Sequence, residues 1–479
     1  MIKSNKSLKW HLKNTKNFCA KPFLETVYWY DGIVKPCCIY DADPEIYLEE
    51  ASQKHKVKSG NSTIKHTNLL VDDVTIKESW STPGLIKIRE QMVEGERPSG
   101  CVRCWNEEDQ DCQSDRQRYT DHVLSALEDN KADINVDTTY GNLESKAPVR
   151  TELRPSNACN MSCRMCFSDV SDKLRKEELD NLNDYQESDW YKYYYHRPKD
   201  DWNPAFKLNN ITTNWLNPKR FEELIELSKE VSPELSDKLY NLPNYLLIGG
   251  EPFVMPGMIE FLEKLVDMKI AKDLRLTIST NLSLINRKML KFLKSFKSVY
   301  WSTSIDGTKD VHEYIRNHES FDDIIKNHKL LKKSENPSFT ITHALSILNI
   351  NDVSDFLKYM AKTGILEDNE RVIFNIVENP ALIVWNLPYD IRLKIKEDIS
   401  ETLNELRDTG YYKSLIWRID DILYRLEQKP EFFGKTEEQV NFWMKNFCSR
   451  MKQLDKIRNQ NLLDIDKDGF FEGIFDRYE

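Results

Sequence analysis

The run VRTELRPSNACNMSCRMCF, Val149–Phe167, decides how the chain is read. Its first half, VRTELRPS, is strand-like. Its second half sets Cys159, Cys163 and Cys166 in a C-x3-C-x2-C pattern just behind that strand. Thiolates bind soft metals and iron–sulfur clusters. A structural zinc site normally closes with four ligands. Three thiols in one short loop therefore either recruit a fourth ligand from elsewhere or wrap three corners of a cubane cluster. In the second case one iron stays open to a substrate or cofactor.

Outward from this loop the pattern repeats. NYLLIGG, LRLTIST, SVYWSTSID, SFTITHALS and RVIFNIV are further strand-like runs, most of them followed by amphipathic helical stretches. Strands alternating with helices predict a parallel sheet of βα units. Six such units fit an α/β fold of the open or partial (β/α)6 barrel type. Ligands there gather at the C-terminal ends of the strands, where the three-cysteine loop lies. The barrel is expected over 149–380. An insertion at 167–241, with DWYKYYYHRPKDDWNP at its centre, either reaches the substrate or packs on its own aromatics. Residues 381–479 read as helical, with apolar residues at helical spacing in IRLKIKEDISETLNELRD and LIWRIDDILYRLEQ. Residues 1–145 form a cysteine-rich N-terminal region, and ALEDNKADINVDTTYGNLESKAP reads as a polar linker.

Bulk properties narrow the class. The 479 residues carry a net charge of −10, with 40% hydrophobic and 30% charged side chains. That balance argues against a general nucleic-acid binder. No run of ~18 apolar residues marks a membrane span. The N-terminus, MIKSNKSLKWHLKNTKNF, has no signal-type apolar stretch, so a cytoplasmic protein is expected. Ten cysteines in a reducing compartment point to metal or redox chemistry rather than disulfides.

The second run, LLIGGEPF, puts Gly249, Gly250 and Glu251 at a strand end. Glycines allow close backbone approach to a ligand, and a carboxylate can accept hydrogen bonds from an ammonium group. Together the three-cysteine loop and the GGEP strand end resemble the radical S-adenosylmethionine (SAM) superfamily. The resemblance implies a [4Fe–4S] cluster on Cys159, Cys163 and Cys166. In the family the amino and carboxylate groups of SAM chelate the fourth iron. An electron from the cluster cleaves SAM to methionine and a 5′-deoxyadenosyl radical, which abstracts hydrogen from substrate. By the same resemblance Gly249, Gly250 and Glu251 meet the SAM amino group. LTISTNLS offers Ser279 and Asn281 for ribose or methionine contacts. STSIDGTKDVHEYIR offers Ser304 and Arg316 for the carboxylate, with Asp306 shaping the turn. Arginine suits such a bidentate contact. Two positions depart from the family pattern. Met165 precedes the last cysteine where an aromatic is common, and Leu282 follows Asn281 where a glycine is frequent.

The N-terminal cysteines form a second set. Cys19 is followed by AKPFLETVYWYDGIVKPCC, in which Asp31–Gly32 is a hairpin signal that brings Cys19 towards Cys37. Cys101 and Cys104 follow as a C-x2-C pair. Two such pairs can close one four-thiolate site, for zinc or for iron–sulfur. Spacing does not separate Cys37 from Cys38. The arrangement resembles the twitch and SPASM auxiliary-cluster domains of radical SAM enzymes, displaced here to the N-terminal side of the barrel. One auxiliary [4Fe–4S] cluster on Cys19, Cys37, Cys101 and Cys104 fits the twitch version. The whole chain looks like twitch-domain radical SAM proteins of bacteria, often found in phage genomes. Relatives of this kind imply a peptide or small-molecule substrate, with a peptide preferred, and an electron donor such as a flavodoxin or ferredoxin.

Cys112 and Cys448 stand alone and read as small buried hydrophobes. DIDKDGFFEGIF opens like a calcium loop, but its twelfth position is Phe475 instead of a bidentate Glu, so a polar turn is expected. The rival to the enzyme is a zinc-stabilised binding or scaffold protein without turnover.

Overall fold

The computed structural model describes residues 6–30, 32–40, 75–142, 147–186, 212–285, 287–333, 338–365, 371–377, 379–408 and 418–479. The aromatic centre of the insertion, 189–204, lies outside the described residues. The chain divides into two compact units that cut across the boundaries drawn from sequence. The first comprises Met1–Ala158, Thr212–Ile278 and Arg287–Tyr300; the second comprises Cys159–Ile211, Ser279–Asn286 and Trp301–Glu479.

In the first unit, β1 (Glu25–Tyr28) and β2 (Val34–Lys35) form an antiparallel hairpin. Its turn is closed by Trp29 N donating to Ile33 O at 2.8 Å. Gly32 supplies the φ of +84° that the Asp-Gly signal promised. A second hairpin, β3 (Val136–Asp137) and β4 (Gly141–Asn142), stands inside the stretch read as a linker. Here the polar residues satisfy one another: the Asp137 carboxylate accepts from Thr139 N and Tyr140 N. Then β5 (Arg150–Leu153) pairs in parallel with β1 on one side and β6 (Tyr245–Leu247) on the other. β7 (Arg275–Thr280) runs parallel to β6. The sheet is thus mixed, with one antiparallel edge strand beside parallel neighbours. Thr151, Glu152 and Leu153 are all buried, as expected where both faces of a parallel strand are covered.

The helices of this unit are set by local signals. Pro83–Glu94 has Thr82 as its cap, proline in its first turn and Gly95 at φ +77° to end it. Asp115–Asp129 opens with a Ser114/Gln117 capping box. Both contribute to a core of Leu8, Phe18, Phe23, Met92, Val123 and Leu127 in which Cys19 and Cys104 are also buried. Each such fully buried Leu or Phe contributes ~1.5–3 kcal/mol.

The second unit holds the end of β8 (Ser298–Ser304), then β9 (Ser338–Leu345) and β10 (Arg371–Ile376). β9 and β10 run parallel. All six strand-like runs from Val149 onward are therefore strands. The C-terminal region is helical, with Tyr389–Asp408, Ile419–Leu426, Glu437–Arg458 and Phe470–Tyr478. Glu437–Arg458 starts at a Thr436/Gln439 capping box. It buries Val440, Met444, Phe447, Met451 and Leu454 at helical spacing. The calcium-like segment is a helix cap: the Asp466 carboxylate accepts from Phe471 N and Glu472 N, and Lys467 pairs with Asp352 and Asp355. No helix among the described residues is long and apolar enough to cross a membrane.

Candidate functional site

The first unit carries the segment from β5 to Ala158 and the turn after β6. Glu251 N donates to Ala158 O at 2.9 Å, and Glu251 is buried. A Cβ on Gly250 would stand 2.1 Å from Ala158 O; one on Gly249, at φ +134°, would meet Met255 Cε at 2.6 Å. A larger residue at Gly250 would push this turn off the backbone that leads directly into Cys159, and at Gly249 the positive φ disfavours any side chain. Asn157 is held as well, its Oδ1 accepting from Thr213 N at 2.8 Å.

The second unit begins at Cys159 and contains the whole three-cysteine loop. Cys159 N donates to the Asp172 carboxylate at 2.9 Å, and Cys166 N to Cys163 O at 3.1 Å. All three cysteines are half-buried. Burial nevertheless pushes Cys163 well up and Cys166 to about 11, with Arg316 acting against the rise at both. Crowded, poorly solvated thiols resist ionisation until a cation compensates them. Among the residues expected at the site, Asn281 donates to Asn160 Oδ1 at 2.9 Å, and Asn160 in turn donates to Ser283 Oγ at 2.7 Å. The strand end after β7 is thus tied to the residue next to Cys159. Leu282 takes φ +66°, the left-handed conformation a glycine would adopt without strain. Ser279 and Ser304 are half-buried at their strand ends.

Arg316 is oriented by a buried network. Its Nε donates to Asp306 Oδ2 at 2.5 Å, and Ala344 N donates to Asp306 Oδ1 at 2.6 Å. Burial works to raise the Asp306 pKa, but Arg316, His343 and His312 outweigh it and hold the carboxyl below its ordinary value. Asp306 N donates to His312 Nδ1 at 3.1 Å, which assigns the His312 proton to Nε2, 3.1 Å from the Glu319 carboxylate. Among the described residues the Arg316 guanidinium makes its only hydrogen bond through Nε. Both Nη groups are therefore available to a carboxylate.

Returning to the first unit, Cys19, Cys37, Cys101 and Cys104 line one small cavity, together with Lys21, Met92, Asp115 and Arg116. Cys38 is not part of its wall. Cys101 closes a short 3-10 turn and Cys104 sits one helical turn on, so both thiols face the same way. Burial raises the Cys19 thiol to about 12 and lifts Cys37, Cys101 and Cys104 as well. Sequence reasoning missed the charges beside them. The buried Lys21 ammonium lies 2.6 Å from Asp115 and 3.5 Å from Glu25. Arg116 is gripped by Glu108 at 2.6 Å and donates to Phe18 O at 2.7 Å. Arg116 falls within SDRQRY, but nothing in its spacing gave it a role.

Among the described residues, no group of three or more His, Cys, Asp or Glu side chains has the spacing to hold a single metal ion. The two donor sets are thiols only, three in one loop and four around one cavity. Thiol-only donor sets are of the chemistry that both zinc and iron–sulfur clusters accept.

Residues 153–360 match the family model for the radical SAM superfamily. This segment is a radical SAM domain. Its bounds run from the last residue of β5 through the helix after β9, and take in the three-cysteine loop, the Gly249–Glu251 turn, Ser279, Asn281, Ser304 and Arg316. Similar solved structures include native anSMEcpe with bound AdoMet, at 18% identity and TM-score 0.38, covering 56% of this chain and 64% of that one. Another is Streptococcus suis SuiB bound to precursor peptide SuiA, at 14% identity and TM-score 0.34, covering 61% of this chain and 52% of that one. The match thus spans less than two-thirds of either solved chain. No curated protein matches the chain.

Proposed function

We propose that the chain is a radical SAM enzyme with one auxiliary cluster, acting on a peptide. The observation that carries this reading is the three-thiol loop at the start of a radical SAM domain. Cys159, Cys163 and Cys166 would hold a [4Fe–4S] cluster. Bound there, the cluster supplies the electron that cleaves SAM to methionine and a 5′-deoxyadenosyl radical. Gly249 and Gly250, with Glu251 as acceptor, would meet the amino group of SAM, as the family resemblance implies. Arg316, its Nε anchored on Asp306, would offer its two Nη groups, with Ser304, to the SAM carboxylate. Ser279 and Asn281 serve the ribose or methionine portion. Cys19, Cys37, Cys101 and Cys104 would hold the auxiliary [4Fe–4S] cluster in a twitch-like N-terminal domain, with Lys21 and Arg116 offsetting the charge of the thiolates. On this reading the strands from β5 to β10 would belong to a partial (β/α)6 barrel. A cytoplasmic flavodoxin or ferredoxin would supply electrons. A peptide is the substrate class that the resemblance to twitch-domain proteins implies, and Streptococcus suis SuiB is seen bound to a precursor peptide.

The test is anaerobic reconstitution of the full chain with iron and sulfide, followed by SAM and dithionite. The expected result is about eight irons per chain and formation of 5′-deoxyadenosine. Protein that takes up only zinc and leaves SAM intact would establish the scaffold instead.

A further inference from the structure

The middle of the three-cysteine loop is held by a helix far outside the matched domain. Arg164, between Cys163 and Cys166, is fully buried. Its Nη2 donates to Asp455 Oδ1 at 2.6 Å and to Gln460 Oε1 at 2.8 Å. Its Nε donates to Tyr314 O at 3.0 Å, and its guanidinium lies 3.7 Å from the centre of the Tyr314 ring. Its backbone is fixed at both ends: N donates to Ile315 O at 2.8 Å, and O accepts from Arg450 Nη2 at 2.9 Å. Arg450, Asp455 and Arg458 all belong to the helix Glu437–Arg458, and Gln460 lies just beyond its end.

The residue on the other side of Cys163 is tied to the same helix. Ser162 Oγ donates to Glu177 Oε2 at 3.2 Å, and Arg458 grips Glu177 through three hydrogen bonds of 2.7–3.2 Å. Asp455 also accepts from the Tyr314 hydroxyl at 2.8 Å, two residues before Arg316. One carboxylate therefore joins the loop and the helix that ends at the arginine proposed for the SAM carboxylate. Burying a charged arginine inside a metal-binding loop has a large desolvation cost, which only a fixed arrangement of partners offsets. A loop needing nothing but three thiols has no use for it.

We infer that the C-terminal helix Glu437–Arg458 is a latch that holds the three-cysteine loop in its cluster-binding shape, with Asp455 and Arg450 as positioning residues. This rests on the radical SAM reading for what the loop binds, but the latch itself is a property of the cluster-free chain. Removing an outer partner of a metal ligand loop typically weakens retention by about 10–100-fold. Arg450 has an additional effect, because its guanidinium, bonded to Arg164 O, brings a positive charge to the residue between Cys163 and Cys166. A cation near a cluster favours the reduced form.

The test has two arms on full-length protein. In the cluster-free chain, hydrogen exchange of the 159–167 amides is compared among wild type, Asp455→Asn, Asp455→Ala and Arg450→Met. The latch requires faster loop exchange in all three variants, with exchange in β9 and β10 unchanged. Wild-type loop exchange in Asp455→Ala overturns it, whatever the loop binds. In the reconstituted chain, chelator-driven iron loss from the three-cysteine site is expected to speed up by about 10–100-fold in Asp455→Asn. The reduction potential of that cluster should fall in Arg450→Met and recover in Arg450→Lys, a readout that loss of packing alone does not reproduce. Unchanged iron loss and potential would remove the positioning role. Wild-type protein that binds no iron at Cys163 would instead break the radical SAM reading, while the exchange arm still decides the latch.

Discussion

The two thiol sites solve different problems. The loop in the second unit offers three thiols on half-buried cysteines, with Arg316 as the nearby cation and two of its guanidinium nitrogens uncommitted. The cavity in the first unit offers four thiols, with Cys19 and Cys104 buried, and its cations are already matched: Lys21 to Asp115 and Glu25, Arg116 to Glu108. On the proposed reading, the loop site keeps a place for an outside ligand and a charge to receive it. The other is saturated by its own side chains. A reactive cluster and a stored-electron or substrate-orienting cluster need these two environments respectively.

The largest expected effect comes from breaking this contrast at its reactive end. Cys163→Ala should remove deoxyadenosine formation to background and lower the iron content from about eight to about four. Cys104→Ala should also halve the iron, yet leave deoxyadenosine formation from SAM in place while substrate conversion is lost. If Cys104→Ala abolished SAM cleavage too, the two sites would not be functionally separate.

Next is Arg316. Arg316→Met leaves Asp306 buried without its partner and should destabilise the chain by about 3–5 kcal/mol, read from the urea midpoint. Arg316→Lys keeps the charge but not the fork, so it should retain most stability while SAM binding by calorimetry weakens by about tenfold or more. Equal SAM affinity in wild type and Arg316→Lys would remove the arginine from the cofactor site.

A smaller effect separates the units by pH. On β9, His343 packs against Phe356 and Phe374, and burial lowers its pKa to about 4; His328 is lowered likewise to about 4. Unfolded, both take up protons near pH 6.5, whereas folded they resist until about pH 4. The unfolded state thus binds more protons in that window. Their contribution is complete above pH 6.5 and is lost as pH falls towards 4, by about 3 kcal/mol for each histidine. Hydrogen exchange at pH 7 and pH 5 should show β9 and β10 losing protection. Unchanged protection there would mean that the histidines are protonated in the folded chain.

Much of this was legible in the sequence. The six strands stood out because runs such as LRLTIST and SFTITHALS combine β-branched and apolar residues between clear breaks. The Asp-Gly hairpin followed from local chemistry in the same way. The cysteine spacings singled out both thiol sites, and the structure gathers Cys19, Cys37, Cys101 and Cys104 around one cavity. The β3–β4 hairpin was hidden because its residues are polar and bond to one another rather than alternate in hydrophobicity. The charges around the sites were hidden for another reason. Arg164 and Asp455 lie 291 residues apart, and Arg116 reaches Phe18 across 98. No local pattern encodes such a pairing. Leu282 read as a mild departure from a glycine pattern, and the structure shows that the left-handed backbone persists without the glycine.

The most direct measurement is electron paramagnetic resonance of the reduced, reconstituted full-length chain, recorded with and without SAM. The account requires two reduced-cluster signals, of which one shifts on adding SAM and is absent in Cys163→Ala, while the other is indifferent to SAM and absent in Cys104→Ala. Spectra that do not respond to SAM would contradict it, because no iron would then be open to an outside ligand.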